Sequence, residues 1–130
     1  MLNCGIEIAT TTDGATEIFK AEGYFIRKGD RYSVRYLQDG DTVALAFDST
    51  EFQMKRTGDS EISCVFRLNE RTEMQLGGFG RTGKIPVDTK NYSLLPFDNG
   101  CSVTLRYNFI FTNNFQTFQL NLNIDTSEEK

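Results

Sequence analysis

The stretch VTLRYNFIFTNNFQTFQLNLNI, residues 103 to 124, decides the fold. Its apolar residues fall at every second position: Val103, Leu105, Tyr107, Phe109 and Phe111, then Phe118, Leu120, Leu122 and Ile124 beyond Asn113-Asn114. A period of two puts one face of a β-strand inside and the other in water. Asparagine tolerates the positive φ of a two-residue type I′ turn, so Asn113-Asn114 reads as the tip of a hairpin. Counting back from that tip sets Phe109 opposite Phe118, Tyr107 opposite Leu120, Leu105 opposite Leu122 and Val103 opposite Ile124. Apolar residues then face apolar partners, and a slip of one residue would set each against a polar one.

The same count extends upstream. A turn at Asp39-Gly40 pairs Tyr36 with Val43, Val34 with Leu45 and Tyr32 with Phe47; a loop at Ser49-Thr50 pairs Phe47 with Phe52 and Leu45 with Met54. Three-residue loops at Gly58-Asp59-Ser60 and Asn69-Glu70-Arg71 pair Met54 with Cys64 and Phe66 with Met74. Gly29-Asp30 sets Phe25 opposite Val34, and Asp13-Gly14 sets Ile8 opposite Phe19. Every turn keeps the same face inward, so local and global signals agree.

The stretch from Leu76 to Gly100 is less regular. GGFGRTG, residues 77 to 83, reads as a bend, since glycine weakens a strand interior. Ile85 and Val87 suggest a short strand, held to an edge or irregular position by Pro86, and Tyr92 and Leu94 another before a Phe97-Asp98-Asn99-Gly100 turn. Residues 126 to 130 read as a frayed polar tail. Nine or ten short strands joined by tight turns predict one all-β domain over residues 1–130, a single antiparallel up-and-down barrel, because closure removes the exposed edges of so long a sheet. The barrel is of lipocalin-like size.

Composition narrows function mostly by exclusion. There is no histidine, which removes Ser-His-Asp and Cys-His catalysis and the commonest metal ligand; the expectation is a protein that is not an enzyme, with no cofactor and no metal. Cys4, Cys64 and Cys101 are too dispersed for a zinc site or a disulfide framework and read as small buried residues. The 14 basic residues are scattered among 18 acidic ones for a net charge of -4, so neither nucleic acid nor an anionic membrane is an expected partner. No apolar run is long enough to span a bilayer, and Met1 to Gly5 lacks the pattern of a signal peptide, so the expected compartment is the cytoplasm.

The chain resembles a family of bacterial proteins, the YwiB-like family. The resemblance is carried by the Gly23-Tyr24 strand start, the Arg56 and Gly58 pair, the GGFGRTG bend followed by Ile85-Pro86-Val87, and the strand containing Tyr107. It runs from about Gly23 to Ile124. Where family members often carry an acid two places after the tyrosine matching Tyr36, this chain has Gln38. The resemblance implies a calycin-like barrel and no particular activity.

Candidate sites are few. Gly78 to Gly83 has the spacing of a dinucleotide fingerprint, but a strand pattern follows where that motif needs a helix. The acids Asp39, Asp41, Asp59 and Glu61 beside glycines read as turn formers in water rather than as paired catalytic or calcium-binding carboxylates. The inward aromatic set, which includes Tyr32, Tyr36 and Tyr107, more easily fills a barrel than lines a roomy pocket, so a mostly filled interior is expected. Arg56 faces inward, between Val43 and Ile62 on the neighbouring strands. It reads first as a guanidinium plugging the barrel mouth in water, second as an anchor for an acidic headgroup, with the hydroxyls of Tyr32, Tyr36 or Tyr107 as possible helpers. Arg27 is similar but nearer a turn. Two functions follow: a non-enzymatic barrel binding a small apolar or acidic molecule at Arg56, Tyr32, Tyr36 and Tyr107, or a filled barrel acting as a protein-interaction module, such as a homodimer.

Overall fold

Ten antiparallel strands follow one another along the chain: β1 (Leu2–Thr12), β2 (Ala15–Lys28), β3 (Arg31–Gln38), β4 (Asp41–Phe47), β5 (Glu51–Thr57), β6 (Ser60–Arg67), β7 (Arg71–Gly78), β8 (Arg81–Phe97), β9 (Gly100–Ile110) and β10 (Phe115–Asp125). The computed structural model describes residues 2–78 and 80–126. Each strand pairs with its sequence neighbours, and β1 pairs with β10, so the sheet closes on itself and no edge is left. The up-and-down barrel expected from the hairpin pattern is the fold of the chain.

Six turns sit where their residues place them. Asp13 and Gly14 take φ values of 52° and 80°, and Asp39 and Gly40 take 52° and 84°, the positive pair that a two-residue type I′ turn requires. These turns fix Ile8 opposite Phe19 and Tyr36 opposite Val43. Phe25 faces Val34, Phe47 faces Phe52, and Met54 faces Cys64. Phe97 faces Gly100 across the turn before β9. At the β4–β5 turn the Asp48 carboxylate accepts from the Thr50 amide at 2.8 Å and the Thr50 hydroxyl at 2.7 Å, and those bonds hold its pKa below the usual carboxylate value.

Two registers differ from the sequence count, each by two residues. The β9–β10 turn lies at Thr112-Asn113, one residue earlier than expected, with the Phe111 amide donating to the Asn114 carbonyl at 2.8 Å. Phe118 therefore pairs with Tyr107, Leu120 with Leu105, and Leu122 with Val103. Phe109 pairs with Gln116, although its ring lies 4.9 Å from that of Phe118 as a diagonal inward neighbour. Neither Asn113 nor Asn114 takes a positive φ, so the type I′ signal does not operate there. Between β6 and β7, Ile62 rather than Cys64 faces Leu76. A shift of two leaves every side chain on the same face, so the apolar pattern is satisfied either way.

The two strands expected around residues 85 and 92 are one, β8, interrupted by a register irregularity between Thr89 and Asn91. Pro86 lies within it, at the margin of the β8–β9 ladder, which begins at Val87. GGFGRTG forms the β7–β8 hairpin end, with Gly78 opposite Arg81; Phe79 lies outside the described residues. A strand follows it, so the helix of a dinucleotide fingerprint is missing. Thr126 is not frayed: it is buried, and its amide and hydroxyl both donate to the Asn99 carbonyl. The rest of the predicted tail lies outside the described residues.

Candidate functional site

The barrel interior is divided along its axis. The half nearest the Gly29-Asp30 and Ser49-Thr50 turns is packed. Phe25, Tyr32, Phe47 and Phe52 form a run of rings with centroids 5.8, 5.4 and 5.3 Å apart. Tyr92 closes this end from the opposite wall: its hydroxyl donates to the Asp48 carbonyl, and the Glu51 carbonyl lies 3.1 Å away. Arg27 lies over the Tyr32 ring at 5.0 Å, so the inward arginine nearer a turn caps the packed end from outside. Cys4, Cys64 and Cys101 are all buried.

The other half is hollow. A cavity of about 700 Å³ lies among Ile8, Phe19, Val43, Met54, Leu120 and their neighbours, with Tyr107 and Tyr36 among its lining. The expectation of a mostly filled interior is therefore corrected: the rings are numerous enough to fill a barrel, but they gather in a continuous band. Beyond Phe52 the band passes through Phe66 at 6.2 Å and on to Tyr107 at 4.8 Å. The space beyond the band is lined mostly by aliphatic side chains, with the separate Phe19 and Tyr36 ring pair, 5.7 Å apart, on one wall.

Glu17, Ile18, Gln38 and Arg56 form the rim, beside the turns at residues 13–14 and 39–40. Arg56 faces inward between Val43 and Ile62, as the sequence register requires. Its guanidinium does not wait for a ligand acid or a tyrosine. Nε donates to the Asp41 carboxylate at 2.7 Å and Nη2 to the Gln38 carbonyl at 3.5 Å, and Asp39 lies 3.9 Å away. The arginine side chain keeps 28% exposure, so the pair sits at a wet mouth rather than in a dry core. Asp41 was legible only as a turn former; its parity with Val43, Leu45 and Phe47 is the signal that places it inward.

Of the four residues singled out from sequence, Arg56, Tyr36 and Tyr107 line this cavity, and Tyr32 lies in the packed half. Tyr36 is 6% exposed and Tyr107 8% exposed. Neither hydroxyl has a hydrogen-bond partner among the described residues. Burial pushes each phenol up to about 12; the nearby Arg56 opposes this at Tyr36, while the Cys64 thiol adds to it at Tyr107. Both are neutral hydroxyls able to donate or accept at neutral pH. Among the described residues no group of three His, Cys, Asp or Glu side chains could hold a metal ion. No helix among them is long and apolar enough to cross a membrane.

A second concavity lies on the outer wall. Ala44 and Ala46 form part of the floor of an open trough of about 1400 Å³, flanked by Tyr24, Ile26 and Val65. Arg35 and Lys55 also line it and have no ion-pair partner among the described residues.

No curated protein matches the chain. The crystal structure of the YwiB protein from Bacillus subtilis has the same fold, with a TM-score of 0.75 and 11% sequence identity over 96% of this chain and 90% of that one. At that identity the likeness concerns the fold alone. A family model described as a domain of unknown function, DUF1934, matches residues 5–124, nearly the whole barrel, and the chain belongs to that family.

Proposed function

We propose that this protein is a non-enzymatic binding barrel for one small apolar or amphipathic molecule, held in the hollow half of its interior. One observation carries the reading: an otherwise largely apolar cavity is bordered by two tyrosines, each more than nine-tenths buried as a residue, whose hydroxyls have no hydrogen-bond partner among the described residues. A hydroxyl that faces the cavity without a protein partner is free to bond to an occupant offering a polar atom. Largely apolar walls with a few convergent polar groups are the usual build of a small-molecule site. The arrangement offers no nucleophile–base pair, which favours binding over catalysis.

The test uses Nile red, an uncharged dye whose emission shifts to the blue in apolar surroundings. The native protein is expected to bind it at a single site, and Leu120→Trp, which fills the cavity, to abolish that binding while the circular dichroism spectrum is kept. Equal binding by the variant would overturn the reading.

The second reading, a homodimer built through the outer wall, is favoured by the trough over Ala44 and Ala46. Its two unpaired cations suit an acidic partner, and this chain carries a net charge of -4. Native mass spectrometry separates the two readings: a retained small molecule supports the first, and a second subunit lost on Ala44→Glu supports the other.

A further inference from the structure

The rim of the cavity carries an excess of negative charge. Arg56 is the cation among the lining residues and Glu17 the anion. Arg56 is in turn engaged by Asp41 at 2.7 Å and approached by Asp39 at 3.9 Å. Two carboxylates thus face the one guanidinium and Glu17 adds a third on the rim, so these four side chains sum to two negative charges. The other polar groups lining the cavity are uncharged at neutral pH: the hydroxyls of Tyr36, Tyr107 and Thr10, and the Gln38 amide.

This distribution bears on the occupant's chemistry. A carboxylate would give up hydration, meet a rim of its own sign, and find the guanidinium already neutralised. A neutral oxygen, as in an alcohol, ester or ketone, meets no such opposition and gives the unpaired tyrosine hydroxyls an acceptor. We infer that the cavity selects an uncharged amphiphile, an apolar chain or ring bearing a neutral oxygen, over the corresponding carboxylate, with Asp41 holding Arg56 out of reach of an acidic headgroup. The inference rests on the binding reading above and names its ligand class.

Displacement of bound Nile red by decan-1-ol and by decanoate, measured at pH 8, tests it. The alcohol is expected to bind at least tenfold more tightly than the acid. Asp41→Asn frees the guanidinium, and is expected to tighten decanoate at least tenfold while moving decan-1-ol by less than threefold. Should that variant fold poorly, Glu17→Gln, at an exposed strand position on the same rim, is expected to act in the same direction more weakly. Decanoate binding as well as the alcohol in the unmodified protein would overturn the inference while leaving the barrel a binding protein. Nile red that neither compound displaces would overturn the ligand class. Failure of Nile red itself to bind would instead remove the binding reading, and the inference with it.

Discussion

Gly58 faces Asp41 so closely that a methyl group on its Cα would stand 1.8 Å from the Asp41 Oδ1. The residue that follows Arg56 by two is therefore a glycine for a spatial reason. It leaves room for the carboxylate that holds the arginine, and a side chain there would push Asp41 away from its 2.7 Å bond.

Gly58→Ala is accordingly expected to destabilise the protein by about 1 to 3 kcal/mol through overpacking at the rim. Gly83→Ala is the control, because the space around that position is open. Urea denaturation of both variants checks the pair. Equal midpoints would mean that Asp41 moves aside without cost and that the Arg56 contact does not depend on Gly58.

The Thr89 hydroxyl is buried without a partner among the described residues, in a residue 1% exposed beside the irregularity in β8. Its backbone is well anchored: the Thr89 carbonyl accepts from the Asn69 amide at 2.9 Å, and its amide donates to the Glu70 carbonyl at 3.3 Å. Thr89→Val removes only the unpaired group and keeps the shape, so it is expected to raise stability by about 1 kcal/mol. A loss of stability measured by the same denaturation would show that an ordered water satisfies the hydroxyl.

Alkaline pH should weaken the fold earlier than the surface charges alone would. Burial raises Tyr36 and Tyr107 from 10.0 to about 12, Cys64 from 9.0 to about 11 and Cys101 from 9.0 to about 12. In each case the unfolded chain releases its proton first. The stability due to these groups is thus complete below about pH 9 and is lost as pH rises through their folded values. Each group contributes a slope on the order of 1 kcal/mol per pH unit within its own window. Denaturation midpoints followed from pH 8 to pH 11 should fall steeply above pH 9. Tyr36→Phe combined with Tyr107→Phe should flatten the portion above pH 10, and an unchanged slope in that variant would contradict the assignment.

Much of the fold was legible because short turns are local chemistry. Asp-Gly at 13–14 and 39–40 demands positive φ at both positions, so those hairpins could be counted outward without error. Asn113-Asn114 and the loop near Asn69 carry a weaker demand. There the period of two fixes the face but cannot distinguish registers that differ by two residues, since both bury the same side chains. The pattern also tells which rings point inward but not their height along the barrel axis. The gathering of Tyr32, Phe47 and Phe52 at one end, which leaves the other end hollow, was therefore beyond it. The position of Arg56 was legible, and so was its need for an acceptor. Its acceptor was in plain sight in Asp41, at the head of an inward row whose apolar members drew the eye.

The pairing of β1 with β10 has a consequence for how the protein is made. Ile6 finds its partner in Ile124 and Ile8 in Leu122, residues separated by nearly the whole chain. On the ribosome, every hairpin from β1 to β9 can form as it emerges, but the ring stays a curled ribbon with two open borders until β10 has been synthesised. During that interval the β1 border and the newest strand offer unpaired amides and carbonyls to any other nascent chain. The last seam therefore governs both the speed of maturation and its hazard, since such distant contacts are slow to form.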